Sequence, residues 1–168
     1  LNITIRKEHP NDIQAIHDVT VSAFLNAPHT GHTEQFIVKA LREARVLSIS
    51  LVAEVESQIV GHIALSPVTI SDGSMDWYGL GPISVIPEYQ GKGVGSVLMK
   101  EAIAALKALN ANGCVLLGDH NYYKRFGFAP KDGLILPEVP AEYFQALVLQ
   151  GELPKGNVAY HDAFLATA

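Results

Sequence analysis

A mixed α/β fold, built on one mostly antiparallel sheet with helices on both faces, is what this sequence predicts, on three observations. A short strand and two amphipathic helices come first. A middle stretch with a period of two follows, and residues 85–117 then read as strand, crossover helix, strand. At 168 residues and 48% hydrophobic content the chain can bury one sizeable core, which predicts a single domain over 1–168.

The elements follow in order. "NITIRKEH" alternates as a short strand, and "PND" supplies a helix start with Asp12 or Asn11 as cap before Ile13, Ile16, Val19 and Phe24 at helical spacing. After the break at "LNAPHTGH", Thr33 can cap a second helix that carries Phe36, Ile37, Ala40 and Leu41 on one face and Glu34 in its first turn. "ISLVAEVES", "QIVGHIALSPVTIS" and "MDWYGLGPISVI" are β-rich, separated by Glu56-Ser57-Gln58 and by Asp72-Gly73, and predict three antiparallel strands. A helix then runs to about Asn110, ended by "NANG", and "CVLLG" is the continuous apolar run of a buried parallel strand. Past "GDHNYYKRFG", "FAP" starts another strand, "YFQALVLQ" is a later one, and residues 131–168 form a C-terminal extension of the same domain.

Composition excludes some functions. A net charge of −5 without a basic block argues against nucleic acid or an anionic membrane as partner. No apolar run is long enough to span a bilayer and the N-terminus lacks the apolar core of a signal peptide, so a soluble, cytoplasmic protein is expected. The single cysteine, Cys114, excludes an internal disulfide framework and reads as a buried small hydrophobe. His29 and His32 lack a second ligand pair, so no metal is expected. A homodimer is left open.

The segment "VIPEYQGKGVGSVLMKEAI" places glycines at 91, 93 and 95 at a helix entrance. A P-loop needs Ser or Thr after its lysine, whereas Lys92 is followed by Gly93; a dinucleotide fingerprint needs a third glycine where Ser96 stands. Orphan N–H groups, the positive end of the helix dipole and glycines without Cβ atoms let a pyrophosphate approach, although a ligand-free tight turn fits these residues equally well. Upstream, Pro82 interrupts a strand that should be central. It requires a bulge or a parting from the neighbouring strand, leaving free backbone groups from Ile83 to Val85.

"ISVIPEYQGKGVGSVLM" resembles the acetyl-CoA signature of the GNAT superfamily of N-acetyltransferases, with Gln90, Gly93 and Gly95 in its Gln/Arg-x-x-Gly-x-Gly/Ala pattern. "GDHNYYKRFGF" resembles the superfamily's second block, with Tyr123 a few residues ahead of Gly127-Phe128. The likeness runs from residue 3 to about 130, and the short second block is most similar to the YhbS-type bacterial subgroup. It implies a sheet splayed between its fourth and fifth strands with acetyl-CoA in the splay. Pantetheine would pair with the backbone of Ile83, Ser84 and Val85, and the pyrophosphate would sit on Gln90, Gly91, Lys92, Gly93, Val94, Gly95 and Ser96. The second block offers Asn121 alone for a further contact to the pantetheine arm.

The chemistry expected is N-acetyl transfer to a primary amine, a small molecule or a peptide, by direct attack in a ternary complex. Thioester attack needs an oxyanion donor, for which the Val85 N–H is the candidate, and a proton for the leaving thiolate, assigned to Tyr123, which also contacts the cofactor. An amine with a pKa of roughly 10 needs a base near neutral pH. Glu34 is the first candidate, with His62, Asp119 and His120 behind it. The alternative is a non-catalytic acyl-CoA-binding module or sensor.

Overall fold

The computed structural model describes residues 1–28 and 30–168. Strand β1 (Thr4–Lys7) leads through a 3-10 turn at Pro10–Asp12 into helices α1 (Ile13–Phe24) and α2 (Glu34–Glu43). Strands β2 (Ile49–Val55), β3 (Gln58–Pro67), β4 (Thr69–Ile70) and β5 (Trp77–Val85) follow. Helix α3 (Val94–Ala108) crosses over to β6 (Gly113–Leu117), and the short helix α4 (His120–Tyr123) comes next. Strands β7 (Ala129–Pro130), β8 (Leu134–Ile135), β9 (Phe144–Val148) and β10 (Gly156–Ala159) complete the chain.

The main sheet has the order β1-β2-β3-β5-β6-β9-β7, parallel only between β5 and β6; a second sheet has the order β4-β10-β8. Alternation along β2 shows how the faces are shared. Leu51 and Ala53 pack in the core with Leu98, Met99, Ala102 and Leu106 of α3, whereas Val52 packs on the other face with Ile16 of α1 and Val38 of α2. Helices on both faces and a mostly antiparallel sheet are therefore observed.

Several local expectations change. Asp12 precedes α1, but its carboxylate accepts from the His9 N–H at 2.6 Å and takes two hydrogen bonds from Arg6, at 2.7 and 3.1 Å, instead of capping α1. The Arg6 hydrogen bonds hold this carboxyl well below the usual carboxylate range, at about 2. Thr33 caps α2 through its backbone carbonyl, which accepts from Phe36 and Ile37, and not through its side chain. The Asp72-Gly73 turn does connect antiparallel neighbours, β3 and β5, but the loop also carries β4 into the second sheet. Residues after 130 do more than extend the domain: β9 enters the main sheet between β6 and β7.

Candidate functional site

The parting of the sheet fixes the site. β5 pairs with β6 only from Trp77 to Gly79, opposite Gly113 to Val115, and then runs on to Val85 against β3 alone. The register shifts at this point. Ile83 faces Ile63 and Leu80 faces Leu65, so Gly81 and Pro82 together oppose Ala64 alone. The bulge and the parting expected from Pro82 both occur. The parallel pair that opens is β5 and β6, the fourth and fifth strands when the short β4 of the second sheet is left out of the count.

Which backbone groups face the opening follows from the ladder. The Ile86 N–H donates to Val60 O at 3.0 Å, and hydrogen-bonded positions of an antiparallel pair alternate, so Ser84 also bonds to β3 while Ile83 and Val85 point the other way. Two N–H groups thus face the splay, and Ser84 supplies none to that side. The Val85 carbonyl accepts from Gln90 Nε2 at 2.9 Å, tying the strand to the loop that follows.

That loop is built from backbone. Gly91 and Gly93 have φ of 74° and 88°, the left-handed region that favours glycine, and no atom lies within 4 Å of where a Cβ would stand at either. Val97 N–H makes the first bond of α3, to Gly93 O at 3.1 Å, so Val94, Gly95 and Ser96 present N–H groups without intrahelical acceptors. Val94 is buried, and Gly61 on β3 lets this turn sit low. A Cβ at Gly61 would lie 3.1 Å from side-chain atoms of both Val94 and Leu98.

A cavity of about 370 Å³ sits over this turn, with Val85, Gln90, Gly93 and Ser96 on one side and Tyr122 and Arg125 on the other. Cations flank it. The Arg125 guanidinium stacks 4.5 Å above the Tyr122 ring and its Nε donates to Tyr122 O at 2.8 Å, while Lys92 Nζ lies 5.3 Å from the Tyr89 ring centroid. Neither Tyr122 nor Arg125 stood out in the sequence as a site residue; the signal was their spacing of three and six from Asp119, which begins the turn.

Tyr123 is half-buried, edge-on to Tyr122 at 4.9 Å and to Phe128 at 6.4 Å, and burial pushes its hydroxyl pKa up. Gly118 makes room for it, since a Cβ there would stand 2.3 Å from the ring. Asn121 is exposed; its N–H donates to the Asp119 carboxylate at 2.9 Å, which caps α4. The other base candidates are engaged elsewhere. His120 Nδ1 lies 3.1 Å from Gln145 Oε1, and the Asp119 carboxylate serves as the cap.

His62 is fully buried, and desolvation holds its pKa down at about 4. Its Nε2 is 2.8 Å from Ser50 Oγ, which bonds in turn to the Glu8 carboxylate. Burial pushes the Glu8 carboxyl up, but two hydrogen bonds from Arg42, each 2.9 Å, and the one from Ser50 outweigh it and hold the group below its usual value. Cys114 is fully buried, and burial raises its thiol pKa, as expected of a core residue.

Glu34 stands apart from the loop, at the start of α2. It lines a second cavity at the open end of the splay, and Thr30 Oγ1 donates to its Oε2 at 2.6 Å. His29 lies outside the described residues. Among the described residues no three His, Cys, Asp or Glu side chains gather as a metal site, and no helix is long and apolar enough to cross a membrane.

Residues 47–130 match the acetyltransferase (GNAT) domain family. The N-acetyltransferase YhbS of Escherichia coli (strain K12) is 34% identical over 125 residues, covering 74% of this chain and 72% of that protein. The chain belongs to the GNAT acetyltransferase family. Among solved GNAT structures, one from Brucella melitensis in complex with acetyl-CoA is 47% identical with a TM-score of 0.86, covering 97% of this chain and 98% of that one. Escherichia coli YhbS in complex with CoA superposes with a TM-score of 0.89 at 30% identity, over 100% of this chain and 94% of that one. The GNAT frame of these relatives thus includes the extension after residue 130.

Proposed function

We propose that the chain transfers an acetyl group from acetyl-CoA to a primary amine by direct attack in a ternary complex. The observation that carries this is the splay itself: the Ile83 and Val85 N–H groups turn into it beside the N-terminus of α3, and Gln90 ties β5 to the loop between them. The residues present fit acetyl-CoA, because the positions a Cβ would fill at Gly91 and Gly93 are open and the orphan N–H groups of α3 lie behind them. Relatives solved with acetyl-CoA or CoA on the same fold support the same reading.

Acetyl-CoA supplies the activated acetyl thioester. The backbone of Gln90, Gly91, Lys92, Gly93, Val94, Gly95 and Ser96 cradles its pyrophosphate, and Lys92 and Arg125 add positive charge on an otherwise acidic protein. Ile83 and Val85 offer the pantetheine arm the edge of an added strand, with Ser84 holding the strand to β3, and Asn121 stands at the exposed start of α4.

The Val85 N–H donates to the thioester oxygen as negative charge develops there. Glu34 takes one proton from the ammonium, the neutral amine forms the new N–C bond as the C–S bond breaks, Tyr123 gives its hydroxyl proton to the departing sulfur, and the second nitrogen proton passes to solvent as the amide forms. Burial keeps that proton in place by raising the Tyr123 pKa. The proton then returns to Tyr123 from solvent as the products leave.

Thiol release from acetyl-CoA, measured with a panel of primary amines, tests the proposal. Amine-dependent release that drops in Tyr123→Phe is expected. Tight CoA binding with no turnover on any amine would replace the enzyme reading with an acyl-CoA-binding module.

A further inference from the structure

At the open end of the splay lies a cavity of about 430 Å³ to which Leu80 and Pro82 of β5 and Leu117 at the end of β6 bring both parted strands. Its remaining walls come from distant segments: Phe24 ends α1, Leu136 follows β8, and Phe164 lies in the last turn of the chain. Phe164 is braced edge-on by Tyr160 at 4.9 Å. The Tyr160 ring lies across Gly79, where a Cβ would stand 2.6 Å away, at the residue where β5 and β6 part.

Among the described residues, only Glu34 and Tyr160 bring polar side chains to this apolar wall. Glu34 Oε1 and Tyr160 Oη are shielded from solvent and have no hydrogen-bond partner among the described residues. Thr30 satisfies the other carboxylate oxygen, holding the group in place. A polar atom buried without a partner is unfavourable, so two such atoms lining one cavity mark a place that a ligand donor completes.

We infer that this cavity is the acceptor site and that it selects monoamines with an apolar alkyl or aryl body, which rests on the acetyltransferase reading above. An ammonium brings three N–H donors; Glu34 Oε1 and the Tyr160 oxygen accept two of them while the carboxylate balances the charge. The aromatic and aliphatic walls take the body. A second cation, as in a polyamine, meets no second carboxylate there, and an acidic amine meets the charge of Glu34.

The test is an amine series with saturating acetyl-CoA. From ethylamine to hexylamine, kcat/KM is expected to rise by about fourfold per methylene until the cavity is filled, each buried methylene contributing roughly 0.8 kcal/mol. Phenethylamine should rank with hexylamine, and spermidine and glutamate at least about tenfold lower. Leu136→Gln, at a partly exposed wall position, should flatten the series, and Glu34→Gln should raise KM for hexylamine. A flat series or a preference for spermidine overturns the inference while leaving acetyl transfer intact. Should no amine turn over, calorimetry of the same amines with CoA present decides. Chain-length-dependent binding then sustains the cavity assignment and removes the enzyme reading, and no binding overturns both.

Discussion

The proposed donor and acceptor sides of the splay are made of different material. On the donor side, strand β5, the glycine loop and the first turn of α3 are continuous in sequence, and the groups they offer are main-chain N–H donors. The acceptor side is made of side chains from α1, α2, β5, β6, the segment after β8 and the last turns of the chain. Backbone chemistry survives changes of side chain wherever the dihedral angles are kept. A pocket of side chains from six segments is free to change its specificity without disturbing the loop.

The largest effect should fall on the proposed proton donor. In the proposed mechanism Tyr123→Phe removes the donor to the leaving sulfur, and a loss of about 10²–10⁴-fold in kcat with little change in the acetyl-CoA Kd is expected. The pH profile sharpens this. Because burial raises the Tyr123 pKa above its ordinary 10.0, activity that depends on the protonated hydroxyl should hold through that value and fall only at higher pH. An alkaline limb below pH 10 would remove Tyr123 from the role.

Gly93→Val should strike the donor side alone. A β-branched residue is strained at a φ of 88°, and its side chain fills the open space over the loop. Acetyl-CoA affinity is expected to fall by roughly a hundredfold, corresponding to about 3 kcal/mol, while the chain-length trend among amines persists. Loss of that trend would mean that the two sides are not separable.

The smallest effects concern the frame on the α1 side. Asp12→Asn, which breaks the carboxylate partner of Arg6 and His9, should lower stability by about 1–3 kcal/mol in urea unfolding. His62 gives a pH signature. Its folded pKa of about 4 lies below the ordinary 6.5, so the unfolded chain binds more protons between these values; the associated stability is present above pH 6.5 and is lost as pH falls toward 4. His62→Gln should flatten that slope.

The legible part of the molecule was the part written locally. Pro82 in a central strand and three glycines at the entrance to α3 implied both the parting and the loop, because each constrains the backbone at its own position. The long helices and strands up to residue 117 followed from hydrophobic period, turn residues and, for β6, a continuous apolar run. Asp12 and Thr33 stand at the N-caps of α1 and α2 as expected, but neither side chain makes the cap bond: Arg6 and the His9 N–H compete for the carboxylate of the first, and the backbone carbonyl of the second makes the bonds. Gly79 and Gly118 gave no sign that Tyr160 and Tyr123 press on them, since those contacts exist only after folding. Glu34 was visible as a first-turn carboxylate. Its apolar surroundings were not, because Leu136, Tyr160 and Phe164 come from segments without a clear period.

Amide NMR during a CoA titration tests the splay most directly. The account predicts that the Ile83 and Val85 N–H signals shift downfield and gain exchange protection together with those of Gly93 to Ser96, while Ser84 and Ile86, already bonded to β3, move little. Uniform small shifts along β5, or protection of Ser84 and Ile86 in place of Ile83 and Val85, would contradict it.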